Sequence, residues 1–539
     1  MILAGIASLV TATPTPTPVS VPGAGIFTSP LILSLTIWVP VAVAIAMHAI
    51  PNPRGRYDTL MKQIAFFTNL GIVFVLFIAY NQFQTFLPTI QYEEKVPWLP
   101  SIGVTYHLGV DGPSMTMMML SGLIGITSVM ASWGVRERVR SYFSLLLLTQ
   151  AAVNGAIASH DMFVLVLFWG AAIIPAALLV FGWGGSRREA AAWRLVGYWG
   201  VGTAALLVAV MTAYAAAGGT SFDMDVLLKT ALSPRVQLAI GAALVVAAAT
   251  RLPLFPLHGW ARDVYSEAPL GVSIVIAGSA SRLGAYLLLR ALVAANADAS
   301  RLLAPFIAGL AAVTIVYAAL VALRSMDIRW SAAYLALVPG AITVLGLSAL
   351  SPLSIAGSVL SLFTGGLAAA LIVAAAWTLS DRAQTRSLHL LSGLAPRMPV
   401  LTWVLVIAAL ALLGVPLMAS FPAETMILFG SFKNQPVGAF AVVGGLVLAA
   451  VAIAVVVHRV LFGPPNPDAP AASDASLGES WYLGLLAGGL LWVGLFPGGP
   501  KLPGTDQTLF DPGLLNVMSA GITDLAAPYV QAAPSAVGP

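Results

Sequence analysis

The stretch that decides the fold is AATRLPLFPLHGW, residues 248–260. It closes an apolar run that begins near Val236, and it places one arginine and two prolines inside what is otherwise a membrane-grade helix. Proline removes a helix hydrogen bond and kinks the chain. In lipid the freed backbone groups need water or protein partners. A charge at such depth costs about 2.5–3.5 kcal/mol on insertion scales and marks a functional path by default. Arg251, Pro253 and Pro256 therefore predict a broken helix lining a wet cavity.

The surrounding composition fixes the class. The chain has 539 residues, 59% hydrophobic and only 9% charged, with a mean hydropathy of +0.92. Apolar runs of about 18 or more residues read as spanning helices, so the fold class is an all-α polytopic membrane protein. There is no cysteine, which excludes disulfides, iron–sulfur clusters and thiolate metal sites. The net charge of +4 comes from short basic loops and reads as an orientation signal, not a nucleic-acid surface.

About 14 spans are expected, near residues 31–50, 63–82, 113–134, 141–159, 161–183, 194–217, 235–259, 270–294, 302–323, 330–350, 353–379, 400–432, 437–460 and 480–497. Residues 1–30 are an apolar, then Thr/Pro-rich extension. Residues 31–134 hold three spans and a polar interruption, 83–112, whose pieces TIQYEEKVPWL and GVTYHL suggest a hairpin. Residues 141–294 and 302–460 hold five spans each, and 480–539 the last span and a tail. With both termini outside, 16 of the 25 lysines and arginines fall in inward loops and six in outward loops and tail. That bias follows the positive-inside rule, and an odd number of spans would scramble it.

The seventh span has an echo in the twelfth, at LLGVPLMASFPAE, residues 412–424, where Pro416 and Pro422 make the break and Glu424 stands beside it. Five spans separate the two breaks, so the repeated units have opposite topology. Paired discontinuous helices in inverted repeats point to an ion or substrate path. The proton-path candidates are Glu424, Arg251, Arg282 in the middle of the eighth span, and His258, roughly 10 Å of helix beyond Arg251. An arginine keeps its proton under almost any conditions, so fixed cations bound to carbonyls or to a partner's carboxylate are the plainer reading of Arg251 and Arg282. His258 and Asp263 are expected to pair at the inner face, and His107 and Asp111 to act as caps. No His/Asp/Glu cluster has metal-ligand spacing, and no phosphate loop or nucleophile motif is present.

The stretches YHLGVDGPSM (106–115), RLPLFPLHGWARDVYSEAP (251–269), LRSMDIRWSAAY (323–334), FPAETMILFGSF (421–432) and HRVLFGP (458–464) resemble the antiporter-like membrane subunits of respiratory complex I. The resemblance is to the subunit M branch, the homologues of mitochondrial NADH dehydrogenase subunit 4, and covers about residues 100–465. It implies inverted repeats over spans 4–8 and 9–13, and a role in proton translocation coupled to quinone reduction. It also implies L-, N- and K-type neighbours, a bacterial-type inner membrane with both termini outside, and no cofactor, metal or catalytic redox site in this chain.

The family's switch residues carry over unevenly. The fifth-span glutamate of FWE…IP falls on Gly170 in FWGAAIIP. The seventh- and eighth-span lysines fall on Arg251 and Arg282. The tenth- and eleventh-span histidines fall on Pro339 and Gly365, and only the twelfth-span Glu424 is retained. Stranding one member of a buried ion pair costs about 3–5 kcal/mol, so Arg251 needs water, a carbonyl or a neighbouring chain. Two readings follow. In one, the chain is a divergent copy beside a regular M-type subunit, its own path disabled and its role mainly structural. In the other, protons still pass Arg251 and Arg282 to Glu424. A multi-subunit cation/proton antiporter or membrane-bound hydrogenase-type complex is the alternative assembly.

Overall fold

Apolar length dictates most of the architecture. The computed structural model describes residues 31–52, 55–85, 90–294, 296–464, 473–496, 498, 514–519, 522 and 529. The expected extension 1–30 and most of the tail after Phe496 lie outside them. Among the described residues, eleven helices are long and apolar enough to cross a bilayer, from 18 to 31 residues each. At about 1.5 Å per residue, 18 residues span ~27 Å, close to the hydrocarbon core.

These eleven are the first to sixth spans (Ile32–Ala49, Asp58–Gln82, Gly112–Ala131, Val139–Ala158, Met162–Trp183, Arg188–Ala216), the eighth to eleventh (Leu270–Val293, Ala297–Arg324, Ile328–Ser348, Pro352–Arg382) and the thirteenth (Pro436–Phe462). The other three expected spans are the two that break, the seventh and twelfth, and the last. The seventh runs Pro234–Arg251 and resumes as Gly259–Glu267. The twelfth runs Pro399–Leu412 and resumes as Ser420–Asn434. The fourteenth is Leu477–Leu495. Every expected span thus has a helical counterpart, and both expected breaks are present.

The inverted repeat is written in local chemistry. Asp161 caps the fifth span by accepting from the Phe163 and Val164 amides, and Asp327 caps the tenth by accepting from Arg329 and Trp330. Each capping aspartate also forms a β-bridge to the loop after the following span, Asp161 with Asp223 and Asp327 with Ser387. Both spans are interrupted mid-way, at Ala172 and at Ala336–Leu337. The eighth and thirteenth spans both end in π-helical turns, Leu288–Val293 and His458–Phe462.

Each break recruits its missing partners from two spans further on. In the seventh, the Phe255 amide donates to Thr314 Oγ1 of the ninth span at 2.9 Å, and the Trp260 indole donates to the Thr250 carbonyl at 2.8 Å. In the twelfth, the Ala419 amide donates to the Leu490 carbonyl of the fourteenth span at 3.0 Å. Protein therefore supplies what lipid cannot.

The most apolar stretches of the eighth, tenth and eleventh spans are 100% buried, whereas those of the second, sixth and thirteenth are 33% buried. The former make the centre of the bundle, and the latter present a face to lipid or to other chains. The polar interruption folds as a hairpin, β1 (Gln91–Leu99) with β2 (Val104–Val110), antiparallel with Val96 opposite Tyr106. It is tied down by the His160 amide, which donates to the His107 carbonyl at 2.8 Å.

Candidate functional site

Arg251 ends the first half of the seventh span, its guanidinium aimed into the bundle and its side chain wholly buried. Its Nη2 donates to the Trp169 carbonyl. The guanidinium lies 3.8 Å from the Trp199 ring centre and 4.6 Å from that of Trp169. Among the described residues Nε and Nη1 have no hydrogen-bond partner, and no carboxylate lies within 4 Å of the guanidinium. A desolvated cation–π contact contributes about 2 kcal/mol and a charged hydrogen bond about 1.5–3 kcal/mol. Together they offset an insertion cost of about 2.5–3.5 kcal/mol. The partner that Arg251 needs is thus a carbonyl with two indoles. Gly170 follows that carbonyl directly, and a side chain there would meet only Thr203 Cγ2, at 3.3 Å.

Arg282 lies where the eighth span passes between the tenth and eleventh. A Cβ built on Gly365 would stand 2.9 Å from Pro339 Cβ and 3.6 Å from Arg282 Nη1. The two positions where the family resemblance places histidines therefore face one another, and the guanidinium fills the space beside them. Arg282 Nε and Nη1 also lack hydrogen-bond partners among the described residues. Beyond them lies one hydroxyl pair. Thr343 Oγ1 and Ser361 Oγ are 2.8 Å apart, and Ser358 Oγ donates to the Thr343 carbonyl at 3.1 Å.

Glu424 sits in the second half of the twelfth span, 7% exposed, and no ion pair involves it among the described residues. Its carboxylate curls under Gly414 in the break. That residue has φ +56°, and a Cβ on it would fall 2.2 Å from Glu424 Oε2. A side chain at 414 would meet both obstacles, and glycine meets neither. Of the break prolines, Pro253 and Pro256 fall between the two halves of the seventh span, Pro416 between those of the twelfth, and Pro422 in the first turn of its second half.

His258 packs against Phe255 and Tyr317, with ring centres 5.5 and 4.8 Å away, and its Nδ1 has no partner. The expected His258–Asp263 pair is not formed. Asp263 is held by Arg194 and Arg262 instead, because His258 precedes the short helix while Asp263 lies more than a turn into it, facing the sixth span.

A polar network escaped the sequence reading. At the hairpin side, Arg290 Nη1 pairs with Asp111 Oδ2 at 2.6 Å, and Nη2 donates to His160 Nε2 at 2.7 Å. The Tyr286 hydroxyl accepts from Arg290 Nε at 3.2 Å and donates to the Ile157 carbonyl at 2.9 Å. Asp111 caps the third span, as expected. His107 Nδ1 bonds Asp223 Oδ2 at 3.0 Å, and Lys95 joins the same oxygen. Burial, and next the adjacent Arg290 cation, push His160 down to about 3. Burial opposes ionisation of Asp223, but the hydrogen bonds from His107 and Lys95 prevail and hold it below the usual carboxylate range. The available signal was topological: Arg290, His160 and the GVDG turn all fall on one side of the predicted spans.

A family described as NADH:quinone oxidoreductase/Mrp antiporter, transmembrane, matches residues 159–449. The chain is 32% identical over 414 residues to NADH-quinone oxidoreductase subunit M of Pseudomonas aeruginosa, covering 75% of this chain and 81% of that one. Its fold superposes with a TM-score of 0.79 on a chain of respiratory complex I from Thermus thermophilus, at 24% identity over 92% of this chain and 99% of that one. It superposes equally, at 0.79, on a chain of the Mrp complex from a Dietzia species, at 19% identity over 93% and 99%.

Proposed function

This chain belongs to the NADH:quinone oxidoreductase/Mrp antiporter membrane family, and from that membership we propose that it is an M-type subunit in the membrane arm of a proton-translocating NADH:quinone oxidoreductase. The subunit M relatives support the oxidoreductase assembly, whereas the equal fold likeness to an Mrp chain separates nothing. In this reading the electron carriers reside in partner subunits. L-, N- and K-type chains flank this one in a bacterial inner membrane, with both termini outside by the 16-to-6 loop charge bias.

The finer reading is that the chain's own proton path is closed, and one observation carries it. Arg251 occupies the switch position as a guanidinium fixed by the Trp169 carbonyl and two indoles, with no carboxylate within 4 Å among the described residues. A proton path needs a group that exchanges its proton as its partner moves. Arginine keeps its proton, and Gly170 offers no partner to move. Past Arg282 stand the paired hydroxyls of Thr343 and Ser361, which cannot store a proton at neutral pH, and Ser358 turns to the Thr343 carbonyl instead of extending the pair. Glu424 is left as a lone carboxyl. The subunit then transmits force and completes the arm while a regular M-type copy carries the protons.

The test is mass spectrometry of the complex purified through a tag on this chain in mild detergent. Donor-oxidising and quinone-site subunits, with a second M-type chain, are expected. Recovery of small membrane antiporter subunits alone would replace the oxidoreductase reading with that of a cation/proton antiporter.

A further inference from the structure

We propose that a crevice at the inner face, bounded by the second, third, eleventh and fourteenth spans, binds the headgroup of an anionic phospholipid. The inference rests on the sidedness proposed above and is independent of whether protons pass. The crevice has a volume of about 810 Å³ and brings Lys62, Arg136 and Arg382 to one rim. Arg382 is largely spoken for, since its Nε donates to Glu479 Oε2 at 2.8 Å. Lys62 gives one N–H to the Trp133 carbonyl at 2.7 Å and keeps two. Among the described residues Arg136 has neither hydrogen-bond nor ion-pair partner. Asp381 also reaches the lining, which carries three cations against two carboxylates, and Lys62 feels the charges of both Asp58 and Arg136.

The chemistry of the walls identifies the ligand. Trp133 and Trp481 stand at the mouth, 43% and 65% exposed. Their indoles suit the headgroup level of a bilayer, with an apolar body and one N–H donor. The floor is apolar, formed in part by Phe66 and Met130. Basic pockets between spans on the cytoplasmic side are suited to anionic headgroups, and guanidinium and ammonium groups give charge-assisted bonds to phosphate oxygens. The crevice volume lies within the ~300–1,000 Å³ of small-ligand sites.

The probe is phosphatidylglycerol. The intact complex is placed in phosphatidylcholine nanodiscs containing graded phosphatidylglycerol, released, and weighed by native mass spectrometry. One retained phosphatidylglycerol per copy of this chain is expected. Retention should fall at least tenfold in the double variant Lys62→Gln, Arg136→Gln, and stay unchanged in Arg397→Gln, which removes an inner-side cation outside the crevice. The yield of intact complex shows that the variants assemble. Equal retention in the double variant would overturn the proposal. So would displacement of the lipid by millimolar inorganic phosphate, or cross-linking of Trp133→Cys to a neighbouring subunit. Retention in a complex without oxidoreductase subunits would keep this inference and remove the functional reading.

Discussion

Gly170→Glu should be stabilising next to Arg251 and harmful without it. The Trp169 carbonyl oxygen that accepts from Arg251 Nη2 belongs to the peptide joining Trp169 to Gly170. By peptide geometry the Gly170 Cα then lies roughly 5 Å from the guanidinium nitrogen, within reach of a glutamate carboxylate. The nearest obstacle to a Cβ is Thr203 Cγ2 at 3.3 Å, which yields with a small shift. Two unit charges about 4 Å apart interact by ~4 kcal/mol at an effective dielectric constant of 20. A buried carboxylate with no cation costs about 3–5 kcal/mol. In the Arg251→Met background Gly170→Glu should therefore destabilise by about that amount. In the native background it should be neutral or stabilising, because the guanidinium supplies the counter-charge. The coupling, read from a double-mutant cycle of denaturant titrations on the purified membrane arm, should be at least about 3 kcal/mol. A coupling below about 1 kcal/mol would mean that the carboxylate does not meet the guanidinium, and the account of Arg251 as a cation without a carboxylate would fail.

Other consequences are sharper but narrower. Asp111→Asn leaves Arg290 buried against His160 without its counter-ion, and should destabilise the arm by about 3–5 kcal/mol, seen as a lower unfolding midpoint in detergent. Gly414→Ala puts a methyl group where Glu424 Oε2 now lies, at a φ of +56°. A loss of at least about 1–2 kcal/mol is expected from the backbone alone, and an unchanged midpoint would contradict the description of the break. His160 titrates near 3 when folded and near 6.5 when unfolded. The unfolded chain therefore binds the extra proton between those values, and stability falls as pH drops through that window. From pH 7 to pH 5 the loss should be about 2 kcal/mol at 1.36 kcal/mol per unit, and it should vanish in His160→Gln.

The architecture was readable because its signals are local. Apolar length gives the spans, and the paired prolines Pro253 and Pro256, and Pro416 and Pro422, mark the breaks, whereas the lone Pro40 and Pro305 sit inside continuous helices. The hairpin at 91–110 showed in its alternating polar pieces. The partners of the ionisable residues were not readable. Arg251 is held by a main-chain carbonyl and by indoles on two other spans, and a carbonyl has no sequence identity. Asp263 chose Arg194 over the nearer His258 because helix phase, not chain distance, decides which face it occupies. The Asp111–Arg290–His160 cluster joins the third and eighth spans to the loop between the fourth and fifth, and only the three-dimensional arrangement brings them together. The facing of Pro339 and Gly365 around Arg282 likewise needed the packing of three spans.

Glu424→Gln asks whether this chain carries a proton of its own. The measurement is protons translocated per electron pair by the assembled complex in sealed vesicles, with subunit content checked in the same preparation. The account predicts a stoichiometry identical to that of the native complex. A loss of one channel's share, with assembly intact, would show that Glu424 lies on a working path and would contradict it.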